Sequence, residues 1–170
     1  LLPHGQLPLH IFEPRYLAMV EDSLAGDGVI AMIQPLDLAD EGSEPDLYSI
    51  GCAGRITEDS ELEDGRRLIT LAGLCRFDVT GELPLLHGYR RANADYAPYV
   101  GDDTAADIAS DADVDAVFAA LQTYFTQRGI EAYAQMLRDL PTERMVNQVA
   151  MMCPFKPPEN VRKAAFLPAG

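Results

Sequence analysis

The stretch that decides the fold is Tyr48–Val79, which reads Y-S-I-G-C-A-G-R-I-T-E-D-S-E-L-E-D-G-R-R-L-I-T-L-A-G-L-C-R-F-D-V. It contains two apolar runs that flank Asp64-Gly65. This dipeptide strongly favours a two-residue hairpin turn, because both of its positions tolerate a positive φ. In that register Cys52 lies opposite Phe77, and the apolar side chains of both strands share one face, as a half-buried antiparallel sheet requires. The residues on this predicted core face are Tyr48, Ile50, Cys52, Ile56, Ile69, Leu71, Cys75, Phe77 and Val79.

Three glycines lie inside the predicted strands, at Gly51, Gly54 and Gly73. Glycine in a strand usually marks a bulge, a sharp bend or a close approach of another backbone. A strongly coiled sheet or a partly closed barrel would explain all three, and a ligand that approaches the backbone is the alternative.

The composition is that of a globular protein of 170 residues, with 48% hydrophobic and 24% charged residues. No apolar run approaches the roughly 18 residues that a membrane helix needs. The formal net charge is −14, which argues against nucleic-acid binding, because such binding relies on Lys and Arg to neutralise phosphates.

The three cysteines are too few for a zinc site. We interpret Cys52 and Cys75 as buried free thiols, diagonal neighbours on the core face, and an odd cysteine count without a secretion signal indicates the cytoplasm.

The chain changes its periodicity near residue 100. Before that point the pattern predicts strands and one helix over about 14–24, in which Pro14 suits the first turn and Glu13 complements the helix dipole. Beyond an acidic linker the apolar residues recur with a helical period. The sequence therefore predicts a β-rich part over 1–100 and a helical part over 101–170, with helices near 111–128, 130–139 and 141–153. Together these parts make an α+β protein.

The motifs of several enzyme classes are missing. The sequence has no phosphate-binding loop, no G-x-S-x-G nucleophile motif and no H-E-x-x-H zinc motif. The three histidines lack metal-ligand spacing, and no serine is placed to be activated by a lysine. We therefore predict that the chain is not an enzyme and holds neither a cofactor nor a metal.

The sharpest polar feature is Glu13-Pro14-Arg15 at the predicted helix start. Arg55 and Arg76 lie on the second face of the hairpin and are candidate partners for it. We interpret Glu13, Arg15, Arg55 and Arg76 as a structural ion-pair cluster that holds the first helix on the sheet. A ligand site is the alternative.

The run L-P-L-H-I-F-E-P-R-Y at residues 7–16 is followed by G-C-A-G-R-I, by E-D-G-R-R-L-I-T-L-A-G-L-C-R-F and by a late C-P-F. In order and spacing these motifs resemble the N-terminal, substrate-binding domain of the ATP-dependent Lon protease, above all the small bacterial proteins that consist of this domain alone. The resemblance is strong over residues 1–80 and weaker up to Phe155. It implies a β-rich, PUA-like pseudo-barrel subdomain followed by a small helical bundle. The ATPase and protease domains of Lon have no counterpart in these residues.

The resemblance implies binding rather than catalysis. We expect a non-catalytic module that holds unfolded or exposed apolar polypeptide segments in a groove between the two parts. Its candidate contacts are Phe12, Tyr16 and Tyr89. A separate ATPase or protease and a second copy of the chain are further expected partners, whereas nucleic acid and membranes are not. The alternative is a PUA-like domain that binds a small ligand or RNA through Arg55, Arg76, Arg90 and Arg91.

Overall fold

The computed structural model describes residues 1–36, 45–103, 111–128 and 142–152. The chain divides into two compact units, and the described residues of the second are those of 111–128 and 142–152. The elements in chain order are β1 (Gln6–Ile11), α1 (Pro14–Leu24), β2 (Val29–Pro35), β3 (Leu47–Glu61), β4 (Arg67–Leu86), β5 (Tyr89–Asp95), a 3-10 segment (Ala97–Asp103), α2 (Asp111–Arg128) and α3 (Thr142–Met152). The predicted α+β fold is confirmed, whereas the helix predicted near 130–139 lies outside the described residues.

The five strands form one antiparallel sheet in which β4 is central. One edge of β4 pairs with β3, and β2 follows β3. The other edge pairs with β1 along Arg67–Ala72 and with β5 from Asp78 onwards. A gap in strand pairing therefore lies between β1 and β5, and this gap positions one of the candidate sites below.

Helix α1 starts at Pro14, whose fixed φ suits a first helical turn and whose missing N–H leaves no orphan donor. The carbonyl of Glu13 accepts the N–H groups of Tyr16 and Leu17 at 2.9 and 3.0 Å. The Glu13 side chain does not cap the helix. Val20 is fully buried and packs with Ile11, Ile30, Ile69 and Leu71 in the core of the first unit. Burying each such side chain contributes about 1.5–3 kcal/mol.

The second unit has its own small core. Phe118, Leu121 and Phe125 of α2 pack against Met145 and Val149 of α3. The spacing of three to four residues places the α2 side chains on one face of the helix. These residues belong to the apolar stripes by which the sequence predicts the two helices.

The hairpin register expected from Asp64-Gly65 is wrong by one residue. Gly65 has φ +82°, and Asp64 has no positive φ, so the two-residue turn that needs a positive φ at both positions cannot form. The N–H of Gly65 bonds the carbonyl of Leu62 at 2.9 Å, and the N–H of Leu62 bonds the carbonyl of Arg66 at 2.8 Å. This is a three-residue loop with its last residue left-handed, a common hairpin connection.

Two further bulges modify the pairing along the hairpin. Between the bulges Ile56 pairs with Leu71, and beyond them Cys52 pairs with Arg76 instead of the expected Phe77. Phe77 pairs with Gly51. Because neighbouring strand residues point to opposite faces, Cys52 and Cys75 do not share a face as expected. Both are free thiols, with Cys52 buried and Cys75 partly exposed.

The strand glycines leave room for the protein's own atoms. A Cβ at Gly51 would lie 2.4 Å from the ring of Phe77, and one at Gly73 would lie 2.0 Å from the carbonyl oxygen of Leu2. At Gly54 the nearest atom belongs to the Leu1 side chain, at 2.6 Å. The close-approach interpretation of these glycines therefore involves the core and the N-terminal segment.

Candidate functional site

The outer face of the sheet, opposite the core of the first unit, carries an exposed apolar surface. Residues Leu7, Leu9 and Ile11 of β1 pack with the core, so the alternate residues Pro8 and His10 face away from it. Each of these two begins a row across three strands. Pro8 pairs with Thr70, which pairs with Glu58, and His10 pairs with Leu68, which pairs with Ser60. We call these six residues together with Phe12 the outer-face patch.

Phe12 and Leu68 are the prominent apolar groups of the outer-face patch. The exposed fractions are 61% for Phe12 and 46% for Leu68. The ring of Phe12 meets the ring of His10 edge-on, with centroids 5.8 Å apart. A depression of about 460 Å³ lies beside them, lined by residues 8–10, 58, 60 and 68–70. Exposed apolar side chains that are grouped beside a depression, rather than scattered singly, are typical of an interaction surface.

The polar rim of the outer-face patch is acidic. The Thr70 hydroxyl donates to a Glu58 carboxylate oxygen at 2.7 Å. Arg67 is turned to other acids, because it binds Asp59 through two bonds of 3.0 and 3.1 Å and reaches Glu61 at 3.8 Å. Arg67 is therefore not the partner of Glu58, which lies beside the apolar groups.

The other two candidate contacts, Tyr16 and Tyr89, lie elsewhere in the first unit. Tyr16 packs against the core and has the guanidinium of Arg15 4.6 Å from its ring centroid. Tyr89 is 9% exposed, and its hydroxyl donates to Asp22 at 2.9 Å. Asp22 also accepts a bond from His87 Nδ1 at 2.8 Å. The bonds from His87 and Tyr89 lower the pKa of Asp22. Tyr89 therefore offers little surface to a partner, and it fixes the β4–β5 turn to α1.

The expected four-residue ion-pair cluster is not assembled. Glu13 and Arg15 pair with each other at 2.9 Å, two residues apart in sequence. Arg55 donates to the carbonyl of Asp27 at 2.9 Å, whereas Arg76 pairs with Asp102. A pair between two residues so close in sequence cannot hold the helix on the sheet, so α1 is held by its apolar face.

The ion pair of Arg76 and Asp102 fills the pairing gap on β4. Asp102 accepts the backbone N–H of Arg76 at 2.8 Å and its guanidinium through bonds of 2.6 and 2.9 Å. Its side chain is only 8% exposed. Burial opposes its ionisation, but the bonds from Arg76 outweigh burial and lower the pKa of Asp102. Thus one carboxylate replaces the missing strand partner and neutralises a half-buried arginine.

A second depression, which we call the edge cleft, lies beside this ion pair. It measures about 380 Å³ and is lined by His4, Gly73, Leu74, Cys75, Tyr96, Tyr99 and Val100. His4 Nε2 donates to the carbonyl of Asp102 at 3.0 Å, and the hydroxyl of Tyr99 donates to Asp78 at 2.8 Å. Tyr96 packs on the buried ring of Phe77 with centroids 5.7 Å apart. The residues that line the edge cleft are therefore mostly engaged in holding the 3-10 segment on the sheet.

Sequence reasoning missed Leu68, Glu58 and Asp102 as site residues. Glu58 joins the face of Leu68 and Thr70 only when the hairpin loop has three residues, because the two-residue turn would place it opposite Leu71 on the core face. Asp102 lies in a run of acidic and small residues that predicts a linker. The signal that could have found Leu68 is its position beside the buried Ile69, because adjacent strand residues alternate between faces.

The structure gives little support to the RNA-binding alternative. Arg55 and Arg76 are engaged as described above, Arg90 binds Glu82 at 2.9 Å and the carbonyl of Pro45 at 2.7 Å, and Arg91 donates to the carbonyl of Pro84 at 3.2 Å. A phosphate-binding surface needs cations presented together.

Among the described residues, no group of three or more His, Cys, Asp or Glu side chains could hold a metal ion.

Comparison with known proteins gives a match over residues 1–162 to the model of the ATP-dependent protease La (LON) substrate-binding domain. The chain belongs to this LON domain family. The resemblance seen in the sequence is therefore confirmed.

The chain is also similar to two known proteins. Lon protease 2 of Sorangium cellulosum (strain So ce56) is 32% identical over 102 residues, which are 58% of this chain and 12% of that protein. The crystal structure of a Lon N-terminal domain protein from Xanthomonas campestris matches with a TM-score of 0.53 and 19% identity, covering 91% of this chain and 93% of that one. The chain thus spans a small part of the length of Lon protease 2 and shares the fold of the Xanthomonas protein.

Within the described residues, no helix combines the length and the apolar character needed to cross a membrane.

Proposed function

We propose that this LON domain is a non-catalytic module that binds unfolded or exposed apolar segments of other polypeptides. The observation that carries the proposal is the outer-face patch, where Phe12 and Leu68 are 61% and 46% exposed beside a depression of about 460 Å³. Phe12 was a candidate contact on sequence grounds, and Leu68 joins it. Tyr16 stays a candidate through its partly exposed ring, whereas the burial of Tyr89 makes it the weakest of the three.

The chemistry of the outer-face patch suits capture without reaction. Apolar side chains of a partner would be removed from water against Phe12 and Leu68, which contributes about 25 cal/mol per Å² of buried apolar surface. His10, Ser60 and Thr70 add polar groups along the same rows. The groove expected between the two parts of the chain, cooperation with a separate ATPase or protease, and assembly with a second copy remain predictions. The free thiols of Cys52 and Cys75 suit a reducing compartment such as the cytoplasm.

The test is binding of a permanently unfolded, reduced and alkylated polypeptide to the wild-type chain and to two variants. Phe12→Ala and Leu68→Ala should each raise the dissociation constant at least about tenfold, because each removes a large apolar contact. Leu83→Ala is the matched control, since Leu83 is a leucine of the same strand, is 39% exposed and lies outside the outer-face patch. Equal binding by all four proteins would reject the patch as the binding surface, and no binding by wild type would reject the function.

A further inference from the structure

Glu58 is the charged group that sets the outer-face patch apart from a plain apolar surface. Its carboxylate is exposed, and its hydrogen bond from the neutral hydroxyl of Thr70 leaves the charge in place. Arg67, the residue before Leu68 in β4, is committed to Asp59 and Glu61. Arg66 is likewise paired with Asp64 at 2.6 Å. Among the residues that the structure describes, no cation is paired with Glu58, which lies one row away from Leu68 across the strands.

The charge of the whole chain acts in the same direction. The sequence has 27 acidic and 13 basic residues, so the long-range field attracts cations and repels anions. An acidic rim around exposed apolar groups complements a segment that carries both a positive charge and a large apolar side chain.

We propose that the outer-face patch selects extended polypeptide segments in which a lysine or arginine accompanies an aromatic or large aliphatic residue. This inference rests on the polypeptide-binding function proposed above. The apolar side chain lies against Phe12 and Leu68, and the cation pairs with Glu58. Segments with an acidic residue in the place of the cation are disfavoured by repulsion.

The sheet geometry also predicts the spacing of the two groups. Glu58 shares a row with Pro8, and Phe12 follows Pro8 by four residues. Glu58 and Phe12 are therefore about 13 Å apart along the strands and about 10 Å apart across them. The direct separation is about 16 Å, of which four residues of an extended chain cover about 13 Å at roughly 3.3 Å per residue. Side chains of an extended chain alternate between its two faces, so the two groups must be an even number of positions apart to reach the same surface. A basic residue about four positions from the apolar anchor, with its long stem covering the remaining distance, therefore fits both contacts.

The experiment uses three synthetic peptides that are identical except at one position. Each carries one phenylalanine in a neutral, soluble background, with Lys, Gln or Glu four residues away. Binding is measured by fluorescence anisotropy at low salt for the wild-type chain, Glu58→Gln and Glu63→Gln. Glu63 lies at the exposed tip of the same hairpin, so its variant changes the net charge equally while it leaves the patch intact.

The wild-type chain should bind the Lys peptide about tenfold more tightly than the Glu peptide, because an attraction is exchanged for a repulsion between exposed charges. The preference should fall markedly in Glu58→Gln, which keeps only the part that the overall charge contributes, and it should persist in full in Glu63→Gln. Equal binding of all three peptides to wild type, or a preference in Glu58→Gln as large as that of wild type, overturns the inference. If the peptides bind equally while Phe12→Ala weakens them all, polypeptide binding stands and the selection alone fails. If none of the peptides and no unfolded polypeptide bind, both proposals fail.

Discussion

At Gly73, the space that a side chain would need is taken by the backbone of the N-terminal segment. A Cβ there would lie 2.0 Å from the carbonyl oxygen of Leu2 and 3.3 Å from the Cα of Pro3. Backbone atoms cannot move aside by a change of rotamer, and this backbone is held by bonds between Gly73 and both His4 and Gly5. We expect Gly73→Ala to lower the free energy of unfolding by about 2–3 kcal/mol, measured by urea denaturation.

The matched control for this change is Gly81→Ala in the same strand. A Cβ at Gly81 would have Asn93 Nδ2 as its nearest neighbour at 3.9 Å, which is ordinary contact. Its effect should stay within about 0.5 kcal/mol of zero, because no mechanism of strain applies. Equal losses in both variants would mean that the N-terminal segment does not lie against Gly73.

The link between the 3-10 segment and β4 depends on one carboxylate. Because the bonds from Arg76 keep the pKa of Asp102 below its ordinary value, the unfolded chain takes up this proton more readily than the folded one. Stability from this pair is therefore fully present at neutral pH and is lost as the pH falls through and below the ordinary range of an aspartate, about 3.9. We expect Asp102→Asn to cost roughly 2–4 kcal/mol at pH 7 and to flatten the fall of stability with acid, measured by denaturation at a series of pH values.

Asp64→Asn serves as the comparison for that acid profile. Asp64 also pairs with an arginine, Arg66, and the backbone and side-chain bonds from Arg66 lower its pKa. Its side chain is half exposed, so solvent screens the pair and the cost of the change should be much smaller. A variant of Asp102 with wild-type stability at pH 7 and a wild-type acid profile would contradict the role given to the ion pair.

The hairpin shows how far sequence pattern reaches at the scale of an element. The alternation of apolar and polar residues predicted two long strands on either side of Asp64-Gly65. The α+β fold was predicted from the change in the spacing of apolar residues near residue 100. The register did not follow, because Asp-Gly suits both a two-residue turn and a three-residue loop, and the choice depends on which φ values the sheet favours. One extra loop residue reverses the faces, and between the two bulges, over Gly54–Ile56, the strands share faces as expected although the paired residues differ.

The candidate site was predictable only in part for the same reason. Phe12 stands out in the sequence because it ends an alternating segment, and it is exposed as a contact residue should be. Leu68 and Glu58 join it through pairings between strands, which one-residue shifts decide. Arg76 was placed with Glu13 and Arg15, yet its partner Asp102 comes from 26 residues further along the chain. No local pattern encodes a contact of that kind.

For the molecule as a whole, the net charge of −14 and the outer-face patch act at different stages of binding. The summed field reaches a partner before contact and is screened by salt within about 10 Å at 0.1 M. The burial of Phe12 and Leu68 takes place only in the complex and is insensitive to moderate salt. The two contributions can therefore be separated by kinetics.

We expect the association rate of a basic unfolded polypeptide to fall about tenfold when the salt concentration rises from about 50 to about 500 mM, because attraction by the acidic chain is screened. The dissociation rate should change much less with salt, and Phe12→Ala should raise it, since that contact exists only after docking. Both rates can be measured by stopped-flow fluorescence. An acidic unfolded polypeptide is the control, and its association should become faster as salt rises. If salt acts mainly on the dissociation rate of the basic polypeptide, close ion pairs rather than the overall charge control its binding, and long-range attraction by this chain plays no part.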